Sequence, residues 1–87
     1  MKIIFDYFDD DRYHLAKRDL LDPDMGLSDL GLQVRFNDYG SEIIIDDLGL
    51  GEIIRIDDAR TFFGIYFSNG NCFEDLHAHA ILDIRIK

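Results

Sequence analysis

His77 and His79, one residue apart, are the first residues in this sequence whose types and spacing suggest chemistry. On an extended strand, side chains two positions apart share a face, so both imidazoles could approach one divalent metal. Strand alternation would set them with Asp83, Arg85 and Lys87, opposite an apolar face of Ala80, Leu82, Ile84 and Ile86. A metal would also need a third ligand, and Glu74, Asp75 and Asp83 are the candidates near in sequence. Histidines on a wet strand face are ordinarily solvated, so they are read as solvated side chains and no metal is expected.

Other reactive types give less. His14 with Asp10 or Asp11 would make an acid–base pair, but a histidine on a helix surface is the simpler reading. Ser28, Ser41 and Ser68 do not sit in a Gly-x-Ser-x-Gly elbow. Gly26, Gly31, Gly49 and Gly51 do not have phosphate-loop spacing, and no Lys follows them. Asp9-Asp10-Asp11 lacks the Gly and Glu of a calcium loop. Cys72, the single cysteine, cannot form an internal disulfide and is read as a small packed hydrophobe rather than a nucleophile. The chain is therefore expected to be no enzyme and to need no cofactor.

What remains is the acid. The 87 residues carry 18 Asp plus Glu against 9 Lys plus Arg, a net charge of −9. Without a basic stripe to contact phosphates, free nucleic acid and anionic membrane surfaces are excluded as ligands. Yet 47% of residues are apolar and 13% aromatic, too many for a disordered acidic tail. The length allows one domain, 1–87. The acid is 15 Asp and 3 Glu, and Asp favours caps, turns and strand ends over helix interiors. It recurs at Asp9, Asp10 and Asp11, at Asp46 and Asp47, at Asp57 and Asp58, and at Glu74 and Asp75, each near the end of an expected strand. If those ends gather, they form a negative patch that steers a basic partner. Tyr39, in an expected turn, is the best exposed aromatic anchor for such a surface. Tyr66, in a strong strand, is expected to pack.

These residues need a scaffold, and the periodicity supplies a β one. Lys2 to Phe8 alternates, with Ile3, Phe5 and Tyr7 on one face. The Asp run can cap a helix near residues 11–21, whose Tyr13, Ala16 and Leu20 fall at helical spacing before Pro23 stops it. Leu30, Leu32, Val34 and Phe36 mark a half-buried strand, and Asn37 to Gly40 is turn chemistry. Strands follow at Glu42 to Asp46 and at Glu52 to Asp57, the latter closed by an Asp57-Asp58 turn. Thr61 to Ser68 then reaches Asn69-Gly70, which fits a two-residue hairpin pairing Phe67 with Cys72 and Tyr66 with Phe73. Ala80 to Lys87 alternates to the terminus, as a strand expected to pair inside the sheet. An echo between Asp29 to Asp38 and Asp47 to Asp58 is read as chance in a chain rich in Asp, Leu and Ile. The expected fold is mainly β (α+β): a single small antiparallel sheet or open barrel of about five to seven strands, with at most one helix.

The apolar start of the chain is too short for a secretory signal, and no apolar run approaches the ~20 residues of a membrane span. With its lone cysteine the protein is expected in a reducing cytoplasm, and its start at Met1 and end at Lys87 read as a whole gene product. In size, charge and absent catalytic motifs the chain is similar to bacterial immunity proteins, which block nuclease toxins. It is similar also to phage-coded, anti-CRISPR-like inhibitors of nucleic-acid machinery. The expectation is a binding protein that covers a basic nuclease toxin or nucleic-acid-binding enzyme by occlusion or nucleic-acid mimicry. Its partner-binding residues would be Asp9, Asp10, Asp11, Tyr39, Asp46, Asp47, Asp57, Asp58, Glu74 and Asp75. The competing expectation is a structural or oligomerising β module that uses an exposed strand edge.

Overall fold

Isoleucine and aromatic residues at alternate positions build the frame, because branched side chains pack well on a pleated surface. The computed structural model describes residues 2–25, 31–47, 53–59, 62–67, 70, 72, 73 and 76–87. Strand β1 is Lys2–Tyr7, helix α1 Asp10–Leu20, β2 Leu32–Asn37, β3 Glu42–Asp47, β4 Ile53–Ala59, β5 Phe62–Phe67, β6 Cys72–Phe73 and β7 Ile81–Ile86. Short 3₁₀ turns occupy Pro23–Met25 and Ala78–Ala80. The fold is mainly β with one α-helix among the described residues. Its strands form a four-stranded antiparallel sheet, ordered β2-β3-β1-β7, and a three-stranded one, ordered β4-β5-β6.

The register of the larger sheet stacks its apolar residues in rows. Val34, Ile45, Ile3 and Ile86 lie opposite one another across the four strands, and so do Phe36, Ile43, Phe5 and Ile84. Ile3, Phe5, Ile43 and Ile45 are fully buried in one core with Tyr13, Ala16 and Leu20 of α1. The spacing of those helical residues keeps them on one stripe. Ile65 of β5, Leu76 and Ala80 join the same cluster, so the second sheet contributes to the same core. Each fully buried Ile or Phe contributes roughly 1.5–3 kcal/mol. On the opposite face, Arg85 donates to Asp6 and to Glu42 at 3.0 Å and so ties β7, β1 and β3 together.

The helix starts where the Asp run predicts. The Asp9 side chain accepts from the backbone N–H groups of Asp11 and Arg12 at 3.0 and 3.3 Å, as an N-cap does. Asp10 and Asp11 fill the first turn and Lys17 and Arg18 the last, each sign facing the favourable end of the helix dipole.

Several expectations are corrected. β7 has the neighbour expected of a terminal strand, β1, but among the described residues it lies at the edge of the sheet. Its alternation is broken at Leu82: Asp83 pairs with Asp6 but Ile81 pairs with Tyr7, so Leu82 is the extra residue of a bulge. Ile81 therefore packs on the core, and Leu82 is exposed. In the β5–β6 hairpin, Tyr66 faces Cys72 and Ile65 faces Phe73, one position away from the expected register. A one-residue shift exchanges faces. The observed register sets Phe73 opposite the fully buried Ile65, where the expected one would have set Glu74. Asn69 lies outside the described residues, and Gly70 has φ +91°. Cys72 is exposed rather than packed, because β6 is the edge of its sheet. The echo between the two segments, read as chance, does not carry over to their ends. The first segment turns at Asp38, whereas β4 continues through Asp57 and Asp58 to Ala59.

Candidate functional site

The expected acidic residues separate into groups, and one group is built into a defined surface. It forms where the turn between β2 and β3 meets the start of α1. Asn37 Oδ1 accepts from the backbone N–H groups of Tyr39 and Gly40 at 3.1 and 3.3 Å, closing the turn on its own side chain. Ser41 then takes a left-handed backbone, φ 50°, and its hydroxyl donates to Asp10 Oδ1 at 3.0 Å. That bond helps to offset the strained conformation and fixes Asp10. The Ser41 carbonyl accepts from the Tyr7 N–H at 3.0 Å, which anchors the turn to β1.

A second link runs through Asp38. Tyr13 donates its hydroxyl hydrogen to Asp38 Oδ1 at 2.7 Å, and Lys17 Nζ reaches both oxygens at 2.8 and 3.0 Å. Lys17, and after it Tyr13, hold the Asp38 carboxyl below the usual carboxylate range. Burial, and then the Asp38 bond, push the Tyr13 phenol well above its ordinary value. Lys17 Nζ also lies 5.4 Å from the Phe36 ring centroid, a cation–π distance. Behind them, Tyr7 and Tyr13 meet edge to face at 5.8 Å, and Tyr7 donates to the Leu76 carbonyl at 2.9 Å.

The surface that results presents Asp10, Asp11, Asp38 and Tyr39 to solvent, with Asp9 half-buried beside them. Tyr39 is fully exposed. Phe8, 63% exposed, immediately precedes the cap. Sequence reasoning missed Phe8, which sits one residue beyond the end of β1. The signal was its even position in a strand whose odd residues form the core. Asp9, Asp10 and Asp11 make no ion pair among the described residues, and Lys17 is engaged by Asp38.

The other expected residues lie elsewhere. Asp46 is at the far end of β3, opposite Lys2, and its carboxylate is engaged by Arg35 Nη2 at 2.8 Å. Asp47 pairs with Leu32 in the same strand end. Asp57 and Asp58 do not form a turn: they are interior to β4, opposite Gly64 and Phe63, where backbone pairing with β5 overrides the turn preference of Asp. Glu74 and Asp75 lie outside the described residues. The acidic ends thus converge in part, with Asp9, Asp10, Asp11 and Tyr39 together and Asp46 and Asp47 at the other end of the sheet.

The histidines do not share a strand face. His77 has left-handed backbone, φ 54°, and His79 lies in the 3₁₀ turn. Leu76, before that turn, and Ala80, at its end, both lie in the core cluster. His77 Nε2 lies 3.2 Å from Asp19 Oδ2 of α1, while His79 is exposed. Among the described residues, no group of three His, Cys, Asp or Glu is placed to hold a metal ion. His14 is exposed on α1, its ring 5.1 Å from that of Tyr13. Tyr66 is half-buried. No helix among the described residues is long and apolar enough to cross a membrane. Compared with known protein families, curated proteins and solved structures, the chain matches none.

Proposed function

We propose that this protein is a non-catalytic inhibitor that binds a basic nuclease toxin in a bacterial cytoplasm, as an immunity protein does. The observation that carries this reading is the pair of links, Ser41 to Asp10 and Tyr13 to Asp38, that hold acids and an exposed Tyr39 at one end of the sheet. Carboxylates there would meet the Arg and Lys that a nuclease uses for phosphate, in charge-assisted hydrogen bonds. Tyr39 and Phe8 would bury aromatic area between them and exclude water. Short Asp side chains, already ordered by a cap and a turn, lose little rotamer freedom on binding. The net charge of −9 adds long-range attraction that speeds encounter by ~10–10³. The unpaired Cys72 fits a reducing compartment.

The test is inhibition. Added in equal amount to a basic nuclease toxin encoded beside its gene, the protein should abolish cleavage of DNA or RNA, and Tyr39→Ala with Asp11→Lys should restore it. Cleavage unaffected by the wild-type protein would contradict the reading.

A further inference from the structure

The outer edge of β7 carries a pattern that is complementary to itself. Lys2 and Lys87 exchange both backbone hydrogen bonds, 2.8 Å each, and are thus a hydrogen-bonded pair. Alternation along an antiparallel ladder then turns the backbone groups of Arg85 toward β1 and those of Ile84 and Ile86 outward. Among the described residues, β1 is the strand that pairs with β7. Leu82 and Ile86 are 68% and 56% exposed, two of the large apolar side chains the fold leaves in water. Asp83 lies opposite Asp6, a like-charge pair within the sheet, and makes no ion pair among the described residues.

We infer that β7 pairs antiparallel with β7 of a second copy of this chain, about a two-fold axis at Ile84, joining two four-stranded sheets edge to edge. Outward-facing residues must pair with outward-facing residues, which leaves few registers. Centring the ladder between Leu82 and Ile84 sets Asp83 against Asp83, and centring it between Ile84 and Ile86 sets Arg85 against Arg85. Both oppose like charges. Centring on Ile84 sets Asp83 against Arg85 of the second copy and Leu82 against Ile86. The same register thus gives Asp83 the cation that its own sheet denies it and covers both exposed apolar residues. Closure by a two-fold axis also covers the β7 edge in both copies, so that this edge cannot add further strands.

Sedimentation equilibrium of the full chain under reducing conditions, which keep Cys72 from cross-linking, tests this. The wild-type protein should be a dimer at micromolar concentration. Asp83→Arg, which opposes like charges, should raise the dimer Kd about tenfold or more. Ile86→Pro should do the same, because it removes an outward N–H that β1 does not use. Both variants should keep the wild-type circular dichroism, and Asp11→Asn should leave the dimer unchanged. A monomer at hundreds of micromolar, or a dimer whose Kd neither variant changes, would overturn the inference.

Discussion

The Tyr13 hydroxyl donates to Asp38 Oδ1 at 2.7 Å, and this single bond connects the first half of the helix to the tip of the β2–β3 turn. Because Lys17 reaches the same carboxylate, Asp38 is held from two turns of the helix at once. The position of Tyr39, the next residue, follows from theirs.

Tyr13 and Asp38 should therefore be energetically coupled. Tyr13→Phe and Asp38→Asn each lower the denaturation midpoint, and the double variant loses less than the sum of the two. A double-mutant cycle by urea denaturation measures this. Additive losses would mean that the bond does not organise the turn.

Tyr7→Phe removes the hydroxyl that satisfies the buried Leu76 carbonyl and leaves that acceptor without its partner. The expected cost is about 1–3 kcal/mol, read as a lower urea midpoint at unchanged slope. The chain around Leu76, Ala78 and Ala80 should gain amide exchange in the same variant. A loss below a few tenths of a kcal/mol would show that water replaces the hydroxyl freely.

The pH dependence has two sides. Lys17 and Tyr13 hold the Asp38 carboxyl down, and at Asp19 the bonds from His77 and Arg18 outweigh an opposing effect of burial. Both folded values lie below the unfolded one of about 4, so their contribution is full above that pH and is lost as pH falls through the folded value. Burial raises the phenols of Tyr7 and Tyr13. Their contribution is full below the unfolded value of about 10 and is lost as pH rises toward the folded one. Urea midpoints should thus fall at both ends of the range. Asp38→Asn should flatten the acid limb and Tyr7→Phe the alkaline limb, and identical profiles for wild type and variants would refute the assignment.

The legible parts of this fold are those where one local rule acts without a rival. Ile3, Phe5 and Tyr7 alternate and are buried, Tyr13, Ala16 and Leu20 share a stripe, and Asp9 caps the helix. Tyr39 in its Asn-led turn is exposed as its neighbours imply. The illegible parts are those where pairing or packing overrides a local preference. Asp57 and Asp58 look like a turn and lie inside β4, because only the facing strand decides that. The bulge at Leu82 reverses the alternation of β7 for one position, and nothing in Ala80 to Lys87 marks it. The convergence of Asp10 with Ser41, 31 residues apart, depends on three-dimensional closure that no short motif encodes. Phe8 alternates off the face of Ile3, Phe5 and Tyr7, and only the end of β1 at Tyr7 leaves it beside the helix cap as an exposed aromatic.

The most direct measurement is the association rate of the protein with a basic nuclease toxin as salt is raised from about 0.01 M to about 0.15 M, a range that shortens the Debye length from roughly 30 to 8 Å. Asp9 is left intact, since its loss would fray the helix, and Asp11→Lys is compared with wild type. The wild-type on-rate should fall at least about tenfold across that range, and Asp11→Lys should be slower at low salt with a shallower slope. An on-rate independent of salt, or one that Asp11→Lys does not change, would contradict binding through this acidic end of the sheet.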